Sequence, residues 1–151
     1  MAIARGAGTE ILRSQLYESQ DNAPVQIIIK GVQHHIYTVI SCTFHSVAVA
    51  TDRNWITMYF VGYDAKAGTS AAAPYFFKQD MSAFQTFVWN DKFSFNGYEP
   101  SGTAVLSAAV QILNAAQGGS ADAELMFKMT DADGGGQDYD VLVTYLDQDW
   151  S

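Results

Sequence analysis

The chain has little charge, and basic residues are the scarcer kind. Of its 151 residues only 16% are charged, and 8 Lys and Arg against 16 Asp and Glu give a net charge of −8. Proteins bind nucleic-acid phosphates and anionic membrane surfaces through clustered Lys and Arg. The composition therefore argues against nucleic acid and membrane as partners.

Cysteine and long apolar runs are also scarce. The single cysteine, Cys42, cannot form an intrachain disulfide, which fits assembly in a reducing cytoplasm. Because Cys42 lies between apolar positions of a β-like segment, we expect it to be a small buried hydrophobe rather than a reactive thiol. No apolar run reaches the roughly 18 residues that a membrane helix needs, and residues 1–6 lack the apolar core of a signal peptide.

Aromatic residues are abundant. The chain contains nine Phe, eight Tyr and three Trp, and 48% of its residues are hydrophobic. A chain of this length can build the core of one domain without disulfide support. The combination of many aromatics with few charges suggests that part of the apolar surface serves to bind protein partners.

Short β-like segments separated by turn signals extend over most of the chain. They lie at residues 25–29, 36–49, 55–63, 75–77, 85–95, 124–129 and 139–146. This spacing predicts an all-β fold, an antiparallel β-sandwich of jelly-roll-like type. Residues 36–49 are long for one strand and predict a bend or two strands, while Asn90 and Asp91 predict a bulge or tight turn. Residues 55–63 are apolar on both faces, so we expect burial on both sides or a covering partner.

Two segments depart from the β pattern. Residues 1–24 are predicted to be an N-terminal arm, followed by the sandwich domain over residues 25–151. The apolar spacing of residues 9–18 fits a helix or an irregular strand, and we expect the sandwich to fold without residues 1–20. Residues 103–116 are rich in Ala and Leu and predict one short inserted helix.

Residues that could carry chemistry are few. His34 and His35 are adjacent and point to opposite faces of a strand, so they do not predict a metal site with His45. The acidic loop at residues 131–140 offers a weak calcium site, with Asp131, Asp133 and Asp138 as ligands, but it fails the EF-hand pattern and reads better as a solvated hairpin. No nucleophile motif is present. We expect no cofactor, no metal and no enzymatic activity.

Three segments share features with a known class of proteins. They are residues 35–41 (HIYTVIS), 85–97 (QTFVWNDKFSFNG) and 139–148 (YDVLVTYLDQ), together with the opening at residues 5–14. In this order they resemble small β-sandwich virion structural proteins of tailed bacteriophages. The resemblance implies a virion subunit that decorates or cements the capsid, with the major capsid protein and other copies of itself as partners and no catalytic residues.

We therefore expect a non-enzymatic capsid decoration subunit that forms homo-oligomers. The alternatives are a carbohydrate- or receptor-binding module, a head–tail or tail component, and a small hydrolase. For two of the interface candidates, Trp55 and Tyr59, a plain core position is the favoured reading. The full set of predicted interface residues is Ile11, Leu12, Leu16, Tyr17, Trp55, Tyr59, Phe76, Phe77 and Trp150.

Overall fold

A computed structural model describes residues 8–21, 26–48, 55–64, 69–72, 75–98, 125–131 and 138–150, without the side chains of residues 19–21, 26, 63–64, 69–72 and 129–131. Within these ranges every helix or strand is a β-strand. The strands are β1 (Glu10–Asp21), β2 (Gln26–Lys30), β3 (His35–Ala48), β4 (Trp55–Asp64), β5 (Thr69–Ala72), β6 (Tyr75–Asp80), β7 (Thr86–Trp89), β8 (Phe93–Asn96), β9 (Met126–Asp131) and β10 (Asp138–Asp149). No described segment forms a helix of the length and hydropathy needed to cross a membrane.

The strands form two antiparallel sheets. Sheet 1 has the order β1-β10-β3-β7, with β8 pairing the other half of β3, and sheet 2 has the order β2-β9-β4-β5, with β6 also pairing β4. β7 and β8 therefore follow one side of β3 in tandem, and β5 and β6 follow β4 in the same way. If each tandem pair is counted as one interrupted strand, sheet 1 has the order 1-8-3-6 and sheet 2 the order 2-7-4-5. This is the connectivity of an eight-stranded jelly roll.

Bulges explain the irregular stretches of the sequence. Along β3, Thr144 pairs with Ser41 and Tyr145 with Val39, so Ile40 is an extra residue opposite β10. The extra residue reverses the alternation of side chains, and the bend predicted within residues 36–49 is this bulge. The predicted break at Asn90 and Asp91 is likewise present, because it separates β7 from β8.

The core lies between the two sheets and is largely aromatic. Phe44 of sheet 1 contacts Phe77 of sheet 2 with ring centroids 5.8 Å apart, and Phe60 of sheet 2 contacts Phe95 of sheet 1 at 4.6 Å. These contacts show that the sheets pack face to face. Cys42 is 0% exposed and belongs to this core, as expected from the sequence.

β4 is buried on both faces, as its sequence predicts. Ile56 and Met58 point into the core at 0% exposure, while Thr57 and Tyr59 on the opposite face are 4% and 8% exposed. The sequence pattern did not predict β5, because TSAA consists of small side chains without a β-like pattern. β5 pairs with the end of β4 at residues 62–64.

The N-terminal arm requires a correction over its described part. β1 pairs with β10 in a register that extends from Glu10↔Gln148 to Asp21↔Asp138, so this segment is an edge strand of sheet 1. The strand alternative that the apolar spacing allowed is the one the chain adopts, because β10 offers a long hydrogen-bonding partner. The predicted helix at residues 103–116 lies outside the described residues.

Candidate assembly surface

The outer face of sheet 1 carries leucines that point to solvent. In the β1–β10 register, Leu12 lies opposite Leu146 and Leu16 lies opposite Leu142. Leu12, Leu16 and Leu142 are 62%, 60% and 42% exposed, and Leu146 is half-buried. We call these four residues the leucine face. They contribute little to the core of a single copy, so they form an apolar surface of the kind that marks protein binding sites.

Strand alternation places these leucines outside. Val141, Val143 and Tyr145 point inward and are at most 5% exposed, so the residues between them on β10 point outward. Between the two leucine pairs, the hydroxyls of Ser14 and Thr144 are 3.2 Å apart. The leucine face is therefore a regular surface of two cross-strand leucine pairs with one polar pair between them.

β1 also presents an open edge. It pairs with β10 on one side, and no strand in the described part of the chain pairs with the other side. Its sequence, EILRSQLYESQD, contains no Pro or Lys, although it carries charges at Glu10, Arg13 and Glu18. The pairing with β10 is regular from Glu10 to Tyr17 and shifts only between Tyr17 and Gln20. The hydrogen-bonding edge of β1 that points away from β10 is therefore long and regular enough for another strand to pair with it.

A polar cleft of about 400 Å³ lies beside this edge, between β1 and β2. Arg13 Nε donates a hydrogen bond to Asp147 Oδ2 at 2.8 Å, and His35 Nδ1 lies 2.6 Å from Asp147 Oδ1. Asp147 is only 7% exposed. Two partners compensate the cost of burying its charge. The cluster therefore joins β1 to β10 and β10 to β3.

Tyrosines line the same cleft in their neutral form. Burial, with the negative charge of Asp147 as the next cause, raises the pKa of Tyr37 to about 12. Burial also raises the pKa of Tyr145 and of Tyr17. The Tyr17 hydroxyl donates to the carbonyl oxygen of Ile28 at 2.8 Å, which links the edge of sheet 1 to sheet 2. Phenols with raised pKa values stay neutral and can donate hydrogen bonds.

The predicted interface residues of β1 face different environments. Leu12 and Leu16 belong to the leucine face. Ile11 is 44% exposed on the other side of the strand. Tyr17 is half-buried in the cleft.

Most of the predicted interface aromatics pack within the chain. Phe77 contacts Phe87 at 5.3 Å in the core, and Phe76, which is 38% exposed, stacks on Phe93 at 4.8 Å. Both point inward because the pairing of β6 with β4 shifts register between Met58 and Tyr59. Tyr59 is 8% exposed on the face of β4 that points away from the core, and it contacts Tyr75 at 5.5 Å. Trp150 is half-buried against the ring of His34 at 4.9 Å.

Trp55 borders a groove of about 370 Å³ along β4 and β6. Lys78 Nζ lies 4.6 Å from the centre of the Trp55 ring, a cation–π contact. Tyr75 at the same groove is 68% exposed. The groove is lined by Trp55, Thr57, Tyr75, Phe76, Phe77 and Lys78.

His35 and His45 do not converge on one site. His45 Nδ1 lies 2.9 Å from the Thr86 hydroxyl, whereas His35 binds Asp147. Among the described residues no three His, Cys, Asp or Glu are grouped as metal ligands. Of the weak calcium candidates, Asp138 is half-buried at the start of β10, whereas Asp133 and the side chain of Asp131 lie outside the described set. The calcium alternative therefore stays a prediction.

Sequence reasoning missed Leu142 and Leu146 as surface residues. Their alternation against Val141 and Val143 is visible in the sequence, but it does not show which face of β10 is inside. It also missed the cluster of Arg13, His35 and Asp147. Asp147 lies 134 positions from Arg13 and 112 from His35, and only the strand order brings them together.

Comparison with known proteins gives remote similarity of structure only. No family model matches the chain, and no curated protein matches it. One similar structure comes from a study of Bacillus endospore appendages, described as a family of disulfide-linked pili. It is 10% identical with a TM-score of 0.40, and the match covers 100% of this chain and 97% of that one.

Two further similar structures come from infectious bursal disease virus. One is from the Gx strain, at 8% identity and a TM-score of 0.34, and the match covers 96% of this chain and 32% of that one. The other is from the T13 viral particle, at 7% identity and a TM-score of 0.38, covering 95% and 36%. The chain spans about a third of the length of these viral proteins.

Proposed function

We propose that this chain is a non-enzymatic structural subunit of a phage virion, a capsid decoration protein that attaches to the major capsid shell through the outer face of sheet 1. The observation that carries the proposal is the leucine face. Leu12 and Leu16 are 62% and 60% exposed, and they lie opposite Leu146 and Leu142 on β10. Burying one such side chain in an interface contributes roughly 1.5–3 kcal/mol.

Charge and fold support the same role. A net charge of −8 keeps the free subunit soluble despite its apolar face. Jelly rolls build viral capsid domains as well as lectins, although this is an analogy of fold. The resemblance of residues 35–41, 85–97 and 139–148 to phage virion proteins points to the capsid among these uses.

Co-sedimentation tests the proposal. Shells assembled from the major capsid protein encoded in the same genome are mixed with the purified chain and pelleted. We expect the wild type to pellet with the shells and the variant Leu12→Ser/Leu16→Ser to stay in the supernatant. The matched control is Val32→Ser, which changes a residue that is 49% exposed away from the leucine face and should pellet like the wild type. Equal pelleting of the leucine variant, or no pelleting of the wild type, would contradict the proposal.

The groove beside Trp55 favours a second candidate, a carbohydrate-binding module. Exposed aromatic rings such as Tyr75, 68% exposed, offer flat apolar faces with a nearby cation at Lys78. Glycan-array binding that is lost in Trp55→Ala and Tyr75→Ala but kept in Leu12→Ser/Leu16→Ser would favour this candidate over attachment to a capsid shell.

A further inference from the structure

We infer that two copies of this chain pair through their β1 strands, antiparallel about a two-fold axis at Ser14, so that sheet 1 continues from one copy into the next. The inference deepens the proposed function and rests on it for its biological setting. The edge of β1 that points away from β10 is regular from Glu10 to Tyr17, and no other described strand pairs with it.

A two-fold axis perpendicular to the sheet restricts the register. It maps the outer face of one copy onto the outer face of the other, so residues directly opposite each other must come from the same face. Residues Leu12, Ser14 and Leu16 share the outer face of β1. The axis must therefore lie midway between one residue and the same residue of the other copy. The two residue numbers of every opposed pair are then both even or both odd.

Centring the axis on Ser14 gives a self-complementary arrangement. Leu12 of one copy then lies opposite Leu16 of the other, and the two Ser14 residues lie opposite each other. Each Leu12 already has Leu146 on its other side, and each Leu16 has Leu142. The two leucine faces therefore merge into one surface, with two rows of leucines that cross the interface and a row of Ser14 and Thr144 hydroxyls between them.

Neighbouring registers are worse. An axis at Arg13 would place two guanidinium groups directly opposite each other, which is destabilising. An axis at Gln15 would place Leu12 opposite Glu18 and Leu16 opposite Ser14, so each leucine would meet a polar residue. An axis at Leu16 would run the pairing into the irregularity between Tyr17 and Gln20.

The Ser14 register has one unfavourable feature that makes it testable. It places Glu10 of one copy opposite Glu18 of the other at both ends of the paired segment. The substitution Glu10→Lys turns both like-charge pairs into opposite-charge pairs, and directly opposed charges of opposite sign stabilise a strand pair whereas like charges destabilise it. We expect Glu10→Lys to tighten dimerisation by about tenfold, and Glu10→Lys/Glu18→Lys to lose that gain.

Cysteine crosslinking tests the register directly. In directly opposed antiparallel residues the Cα atoms are about 4.5–5.5 Å apart, within the range of a disulfide. We expect Ser14→Cys to form a disulfide-linked dimer under mild oxidation. The native Cys42 is 0% exposed and does not compete, which the wild type under the same conditions controls.

The matched control is Leu12→Cys alone. In the proposed register the two substituted residues are offset by four positions, about 14 Å along the strand, too far for a disulfide. The double variant Leu12→Cys/Leu16→Cys restores opposed pairs and should crosslink. Crosslinking of Leu12→Cys as efficiently as Ser14→Cys would indicate face-to-face packing of the leucines and overturn the inference.

The outcome separates this inference from the proposed function. If Ser14→Cys stays monomeric in sedimentation and fails to crosslink while the wild type pellets with capsid shells, only the strand pairing is wrong. If Ser14→Cys crosslinks while the wild type does not pellet with shells, the pairing stands and the capsid attachment is wrong.

Discussion

At the scale of single residues, the core holds weakly acidic groups whose ionisation opposes folding, and Cys42 and Tyr37 show the largest effect. Burial raises the pKa of the Cys42 thiol from 9.0 to about 12, and burial followed by the charge of Asp147 raises that of Tyr37 from 10.0 to about 12. A folded pKa above the unfolded one means that the unfolded chain releases its proton first as the pH rises. The stability from these groups is complete below about pH 9 and is lost as the pH rises toward 12.

We therefore predict that the free energy of unfolding falls as the pH rises from 9 through 12. Each group contributes at most about 1.4 kcal/mol per pH unit between its unfolded and folded pKa values. Urea unfolding followed at a series of alkaline pH values measures the slope. Cys42→Ala should move the onset upward from pH 9 toward pH 10, where Tyr37 begins to act. A stability that is flat across this range would show that these groups do not govern the alkaline limit.

Phe84 combines backbone strain with exposure. Its φ is 62°, in the left-handed region that favours glycine, and its side chain is 76% exposed. It is the third residue of a turn closed by the hydrogen bond from Gln85 N to Ser82 O at 3.1 Å. No burial compensates the strain within a single copy.

We predict that Phe84→Gly raises the free energy of unfolding by about 1 kcal/mol, because glycine removes the steric cost of a positive φ. Phe84→Ala is the matched control. It removes the same exposed ring but keeps a Cβ, so its stability should stay near that of the wild type. Thermal unfolding of the three proteins decides the point, and an equal gain in both variants would assign the effect to the ring instead of the backbone.

At the scale of elements, β1 shows why an edge strand is difficult to predict. Its apolar residues at positions 11, 12, 16 and 17 fit neither a clean two-residue nor a clean helical period. One face of this edge strand is solvated, and polar residues are expected there. Exposed leucines occupy that face instead, which hides the alternation of a half-buried strand. Its identity as a strand comes from pairing with β10, a contact between the two ends of the chain.

Deleting residues 1–21 is therefore expected to destabilise the chain, contrary to the independence expected from the sequence alone. The deletion removes the β1–β10 ladder and leaves the buried Asp147 without Arg13. Each backbone hydrogen bond contributes roughly 1 kcal/mol net, so we predict a loss of more than about 3 kcal/mol. Chemical unfolding of the truncated and full chains measures the difference. A truncated chain with unchanged stability would return residues 1–21 to the role of a dispensable arm.

At the scale of the whole molecule, alternation and turn signals were enough to predict that the described residues form β-strands in two antiparallel sheets. β10 illustrates why, since Val141, Val143 and Tyr145 alternate with outward residues over an unbroken strand. The assembly surface could not be read in the same way. The exposed aromatics expected at Phe76 and Phe77 turn inward at a register shift, and the leucines that replace them form a surface only when β1 and β10 lie side by side.

The proposed attachment through sheet 1 is tested most directly by imaging a decorated capsid shell at side-chain resolution. We predict that the outer face of sheet 1 lies against the shell, with Leu12 and Leu16 in contact with the major capsid protein and the groove at Trp55 directed away from it. A subunit bound through that groove, with the leucine face open to solvent, would contradict it.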